Sequence, residues 1–150
     1  MKTRLIIPSD IERVLELGRD AHAESRYAKY PFSSSKCIAI LNACLAGRET
    51  FCIVVEDKDQ IVGFAVGYVV EHFFTTQLFA QDMLVYVTPE HRSRNAGSLL
   101  LMAFEDHVHS LFGNIPIMVG ITTGVTPEKT GELYEFMGFK RSGSLFIKEN

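Results

Sequence analysis

The stretch LFAQDMLVYVTPEHRSRNAGSLLLMAFEDHVHSLF, residues 78–112, constrains this chain more than any other. Its first part, Leu78–Val87, is rich in branched and aromatic side chains and reads as a long strand. Pro89 stops that strand, because proline offers no N–H to a ladder. From Gly97 onward, Leu99, Leu100, Ala103, Phe104, Val108 and Leu111 recur at helical spacing. They predict an amphipathic helix over residues 97–112, closed by Gly113-Asn114. A strand feeding a helix through a short polar turn calls for a sheet with a helix packed on its face.

The remaining pattern fits around that unit. Residues 4–7 read as a short strand ended by Pro8. Ser9-Asp10 offers a helix start, and Ile11, Val14, Leu15 and Gly18 follow at helical spacing, so a first helix is expected from about Asp10 to about Ala28. Tyr30-Pro31-Phe32 breaks it. Ser33 to Ser35 cap a second helix carrying Cys37, Ile38, Ile40, Leu41, Cys44 and Leu45, with Gly47 at its end. Residues 50–56 and 61–70 read as two strands joined by the polar turn at residues 57–60, a hairpin. After the long strand and its helix come a strand at residues 115–122 and a helix begun by Thr126-Pro127-Glu128, with Pro at its first position. Gly138 ends that helix, and residues 145–148 form a last strand. The order is β-α-α-β-β-β-α-β-α-β, which predicts one α/β domain over residues 1–150 with helices on both faces of the sheet. Met102 and Met118 are expected in or near the core.

Composition narrows the function. Nearly half of the 150 residues are apolar (47%), enough for a core without metals or disulfides. The formal net charge of −3 argues against a general nucleic-acid binder but leaves room for a local basic pocket. Cys37, Cys44 and Cys52 have neither disulfide-framework nor zinc spacing and read as small apolar residues. His107 and His109, two apart on a helix, do not share a face, so no metal site is expected there. No charged and apolar leader opens the chain, and no run of about 18 apolar residues exists. The expectation is a reducing cytoplasm, without membrane or nucleic-acid partners.

The turn between the long strand and its helix carries the chemistry. A helix N-terminus presents free backbone N–H groups, and its dipole favours negative charge. Arg92 and Arg94 add full charges beside those amides. Gly97 and Ser98 let the backbone approach a ligand closely. The expected ligand group is a phosphate or pyrophosphate. The loop lacks the Lys-Ser/Thr end of a Walker loop and the GxGxxG of a dinucleotide fold, so the physics alone does not choose the cofactor.

Val87-x-Pro89-Glu90-x-Arg92, followed by Gly97-x-x-Leu100, resembles the pyrophosphate-binding motif of the GNAT superfamily of N-acetyltransferases. Leu133-Tyr134-Glu135-Phe136-Met137-Gly138-Phe139 resembles that family's late helix, and Ile6-Ile7-Pro8-x-Asp10-Ile11 its opening strand and first helix. Ser93 and Asn95 stand where the family has glycines. Asn is the best non-glycine residue where positive φ is needed, so the loop can keep its shape. Pro127 falls about where the late helix often carries a cofactor-contacting Asn, and that contact is not carried over.

The resemblance implies a mixed, mostly antiparallel sheet and acetyl-CoA as co-substrate, with a primary amine of a small molecule or peptide as acceptor. It implies that the backbone of Val85, Tyr86 and Val87 pairs with the pantetheine arm in a gap between splayed strands. Arg92, Ser93, Arg94, Asn95, Ala96, Gly97 and Ser98 would hold the pyrophosphate. Tyr134 resembles the acid that protonates the leaving thiolate. For the base, Asp82 is expected on the same side of the long strand as Leu84 and Tyr86, by two-residue alternation. Glu71, His72 and water are rivals, and His91 is expected at the surface. His22, Glu24, Arg26, Tyr27, Tyr30 and Phe32 stand where this fold covers its acceptor site. The same resemblance admits a catalytically silent acyl-CoA-binding or assembly module. A nucleotide- or phosphate-binding regulator has no ribose-binding acid to support it. The last strand, as an exposed edge, would suit a homodimer.

Overall fold

The computed structural model describes residues 1–149. Five strands form one sheet in sequence order: β1 (Lys2–Leu5), β2 (Thr50–Asp57), β3 (Gln60–Glu71), β4 (Leu78–Val87) and β5 (Ile117–Met118). The first four are antiparallel, and β4 and β5 are parallel. The helices are α1 (Ile11–Glu24), α2 (Ser34–Ala46), α3 (Ala96–Phe112) and α4 (Pro127–Phe136). The α/β class and the helices on both faces agree with the reading of the sequence.

Side-chain alternation builds the two faces. On β2, Phe51, Ile53 and Val55 point to one side and join Ala96, Leu100, Phe104 and Val108 of α3. Cys52 and Val54 point to the other side and join Val14, Leu17 and Ala21 of α1 and Leu41 and Cys44 of α2. The β2–β3 hairpin turns through Lys58 (φ 49°) and Asp59 (φ 63°), and positive φ at both central residues matches the right-handed strand twist. Gly67 on β3 is a packing requirement: a Cβ there would lie 2.4 Å from the Phe104 ring. Arg4 ties β1 to the start of α1 and to β2 by ion pairs with Asp10 and Glu56. Those contacts hold both carboxyls below the usual carboxylate range, the hydrogen bond from Arg4 being the largest cause.

Four local readings change. The first helix stops at Glu24 rather than near Ala28. Ser25 is extended (φ −86°, ψ 167°), and its hydroxyl caps a separate single turn, Arg26–Lys29, by accepting from the Tyr27 amide at 3.1 Å. The strand expected at residues 115–122 pairs only at Ile117 and Met118, because the chain then leaves β4. Among the described residues no strand forms at 145–148. The sheet ends at β5, and Leu145, Phe146 and Ile147 stay exposed. Met102 and Met118 are exposed, not core.

A bulge matters most for the site. Val66 pairs with Leu84 but the next residue, Gly67, pairs with Asp82, so Met83 is an extra residue in β4. Side chains change face across it. Leu78 and Ala80 lie in the α3 cluster with Val85 and Val87, while Leu84 and Tyr86 lie in the α1–α2 cluster. Two-residue alternation therefore fails between Asp82 and Leu84. Asp82 continues the face of Ala80, not that of Leu84 and Tyr86.

Candidate active site

Beyond Gln81 and Met118 the strands β4 and β5 part. The fork is bridged at its start by Asp82, whose Oδ1 accepts a hydrogen bond from the Gly120 amide at 2.8 Å. Past that bridge the β5-facing edge of β4 has no strand partner. Thr88 donates to the Val62 carbonyl at 2.9 Å, which makes Thr88 and Val62 a hydrogen-bonded pair. By alternation the backbone groups of Tyr86 also face β3, and those of Val85 and Val87 face the open edge. Val85 thus offers its N–H and C=O to the fork. The Val87 carbonyl already accepts from Arg92 Nε at 2.9 Å.

The fork opens into a cleft of about 600 Å³ that runs from Asp82 along β4 to the start of α3, with α4 as its far wall. At the α3 end, Asn95 adopts the left-handed conformation (φ 64°, ψ 6°) that the family's glycine would supply, and stands at the helix cap without a capping side-chain bond. The first intrahelical bond runs from the Leu99 amide to the Asn95 carbonyl at 3.0 Å. The amides of Ala96, Gly97 and Ser98 therefore have no intrahelical acceptor and form a donor nest. Gly97 lies against α4, and a Cβ there would sit 3.1 Å from Leu133. The loop and the late helix are thus held together by a close approach.

The other loop residues divide. Ser93 and Gly97 line the cleft, and Ala96 is fully buried under α3. Ser98 sits half-buried in the first turn, and Arg94 is exposed, 3.8 Å from Asp57. Arg92 borders the cleft but is already engaged. Its Nη2 lies 2.6 Å from Glu24 Oε2, and its guanidinium stands 5.5 Å over the Tyr86 ring. The Tyr86 hydroxyl donates to Glu24 Oε1 at 2.9 Å. Glu24, from the end of α1, therefore locks the arginine of the loop and the tyrosine of β4 in one network. Arg92 shapes the loop, and the amides and Lys129 remain to meet an anion.

Lys129 was not picked out from the sequence. It lies on α4 at the cleft with Thr126 and Thr130, exposed and without an ion pair among the described residues. Its only signal was a basic residue in the first turn after Thr126-Pro127. The sequence groups Glu24 with the acceptor cover and not with Arg92, because their contact spans 68 positions.

Tyr134 and Asp82 both line the cleft. Tyr134 is buried, and its hydroxyl has no hydrogen-bond partner among the described residues. Burial, with the Asp82 charge as a smaller cause, pushes its ionisation well above the ordinary range. It is a protonated donor at neutral pH. Burial also raises the Asp82 carboxyl to about 6, against the Gly120 bond, which lowers it. Asp82 is thus poised near neutrality. Its rivals lie elsewhere: Glu71 is exposed at the end of β3, and His72 stacks on Phe74 with ring centroids 5.3 Å apart. His91, expected at the surface, is half-buried and bonds Thr88 at 2.8 Å.

A second cavity, about 450 Å³, lies between α1, α2 and the sheet. It adjoins the cleft at the bulge, where Ala21, Met83, Leu84, Thr122 and Thr123 line both. His22, Tyr27 and Phe32 line it, with His22 edge-on to Phe32 at 5.4 Å. Arg26 instead covers Gly124 and donates its amide to the Thr123 carbonyl at 2.8 Å, and Tyr30 is exposed.

The sequence profile of the Acetyltransferase (GNAT) family matches residues 12–139, which include the fork, the donor nest and Tyr134. The chain belongs to the GNAT acetyltransferase family. Solved structures share its fold. A ribosomal-protein-alanine N-acetyltransferase from Brucella melitensis biovar Abortus 2308 superposes with a TM-score of 0.72 at 16% identity, over 100% of both chains. The aminoglycoside 6′-N-acetyltransferase of Acinetobacter haemolyticus gives 0.76 at 12% identity, over 100% of this chain and 98% of that one. AAC(6')-Iy, in complex with the bisubstrate analogue CoA-S-monomethyl-acetylneamine, gives 0.78 at 11% identity, over 99% of this chain and 97% of that one. No curated protein sequence matches the chain. In this GNAT chain the two loop glycines are replaced by Ser93 and Asn95, and the second replacement keeps the left-handed backbone.

Proposed function

We propose that this chain is an acetyl-CoA-dependent N-acetyltransferase that acts on a primary amine of a small molecule or peptide by direct attack in a ternary complex. The observation that carries the reading is the continuity of the cleft. A free strand edge at Val85 leads to the start of α3 at Gly97, and Tyr134 and Asp82 line the same cleft. A pantetheine arm is amide-like and suits a strand edge. A pyrophosphate suits a helix N-terminus, here with Lys129 and Ser93 beside it.

Acetyl-CoA is a substrate and brings a thioester whose carbonyl carbon accepts the amine. The acceptor ammonium first loses a proton to Asp82 or water. The nitrogen lone pair forms the C–N bond, and the C–S bond breaks with its electron pair on sulfur. Tyr134 protonates that sulfur and is restored by the second proton shed from nitrogen. The Val85 N–H, at the open edge, is the backbone donor available to a polarised carbonyl. Holding both reactants in one cleft supplies much of the acceleration. The reducing cytoplasm remains the compartment proposed for it.

Thermal-shift titration with acetyl-CoA and thiol release over an amine panel test this reading. A saturable rise in Tm with release of free CoA is expected. No rise at millimolar acetyl-CoA overturns it. Saturable binding without thiol release returns the chain to the class of acyl-CoA-binding modules.

A further inference from the structure

The second cavity has a chemical character that the cleft lacks. Val14, Leu15, Ile40, Phe64 and Val66 form its walls, with Phe32 across from α1. Among the described residues, the ionisable side chains that line it are His22, Tyr27, Lys36 and Cys37, and none is a carboxylate. Lys36 lies at the exposed rim. Burial raises the Cys37 thiol, so it stays neutral. Of the carboxylates near the junction, Glu24 is already bonded to Arg92 and Tyr86. Asp82 lines the adjoining cleft rather than this cavity, and it is the carboxylate among the described residues that line the cleft.

We infer that the acceptor is a primary amine on an apolar body, with no second cation. The inference rests on the acetyltransferase reading above and names the substrate class of that site. The reacting nitrogen lies at the junction near Asp82, and the apolar body fills the cavity between α1 and α2. A second ammonium would leave water for a pocket of aliphatic and aromatic walls with no acid to pair it, which is strongly unfavourable. The volume is ordinary for a small-molecule site. Two sources share this chemistry, a simple arylalkylamine and an apolar amino acid. They differ in a carboxylate, which the rim Lys36 would meet.

Gly18 gives the means to test it. It lies within α1 and lines the cavity, and a Cβ added there meets only the edge of the Phe32 ring, at 4.0 Å. Gly18→Leu projects its branch into the cavity, and leucine is a better helix former than glycine. The probes are 2-phenylethylamine, phenylalanine and spermidine, each with acetyl-CoA. For the wild-type chain, kcat/KM for the better phenyl compound should exceed that for spermidine by at least about tenfold. Gly18→Leu should lower the phenyl value by at least about tenfold and leave the Tm shift by acetyl-CoA intact. Which phenyl compound is better tells the arylalkylamine from the amino acid. The wild-type chain saturated with CoA should also gain Tm on adding the phenyl compound and not on adding spermidine, a readout independent of the variant's folding. Equal or better use of spermidine overturns the inference. So does an unchanged phenyl kcat/KM in Gly18→Leu, or a chain that binds acetyl-CoA but neither binds nor acetylates a phenyl amine. In each case the cofactor reading stands. Absence of acetyl-CoA binding fells both.

Discussion

The cleft beside β4 and the cavity between α1 and α2 meet at one bulge, yet they are built from different material. The cleft is made largely of backbone: an unpaired strand edge, the start of α3 at Gly97 and a left-handed Asn95. The cavity is made of side chains drawn from two helices, a connecting turn and the sheet. Backbone geometry tolerates sequence change and suits a ligand with a constant shape. Side-chain walls change with each substitution and suit a variable one. This division fits solved structures under 20% identical to this chain that keep its overall fold: backbone geometry survives sequence change better than side-chain walls do.

Substitutions in the cleft should separate chemistry, cofactor binding and loop shape. The largest effect is expected at Tyr134. Tyr134→Phe removes a buried donor with no partner among the described residues, so kcat should fall about 100-fold while acetyl-CoA affinity, read by thermal shift, stays unchanged. An unchanged kcat, with chemistry rate-limiting, would remove the acid role. Next is Ser93→Glu, which sets a carboxylate before the free amides. Acetyl-CoA should bind about thirtyfold more weakly, or ~2 kcal/mol, without loss of Tm in the free protein. Equal affinity would place the pyrophosphate elsewhere.

Asp82 should show itself in pH profiles. If it takes the acceptor's proton, kcat/KM should rise as pH passes about 6, and Asp82→Asn should flatten that limb. Stability moves the other way. The folded carboxyl is raised above its unfolded value, so the native state binds the proton more tightly. Stability falls as pH rises from the ordinary carboxylate range to about 6, and Asp82→Asn should lose that slope in urea titrations. The smallest effect is structural. Asn95→Ala should cost about 1 kcal/mol, because alanine resists the left-handed region, while Asn95→Gly should change stability by only a few tenths.

Much of the strand–loop–helix unit was legible in the residues. Pro89, Gly97 and the periodic leucines marked the strand, turn and helix, and Asn95 does adopt positive φ. Those signals are local, set by a few neighbouring residues and backbone sterics. The Met83 bulge carries no such signal. It reverses which face Asp82 serves, and it follows from how β3 and β4 register against each other. The short β5 and the missing pairing at residues 145–148 were misread for the same reason. Strand propensity says that a segment can pair, and only a neighbour at the right edge makes it do so.

Taken alone, the sequence determined the order of elements, the strand–loop–helix unit and the family, because each depends on spacing within a short window. Tertiary structure decided the rest. It spent Arg92 on Glu24, brought Lys129 to the cleft, and left the Tyr134 hydroxyl without a partner among the described residues. It also opened an apolar cavity beside the fork, lined by no carboxylate among the described residues. These are contacts between residues far apart in the chain, and their partners are chosen by packing, which no local pattern records.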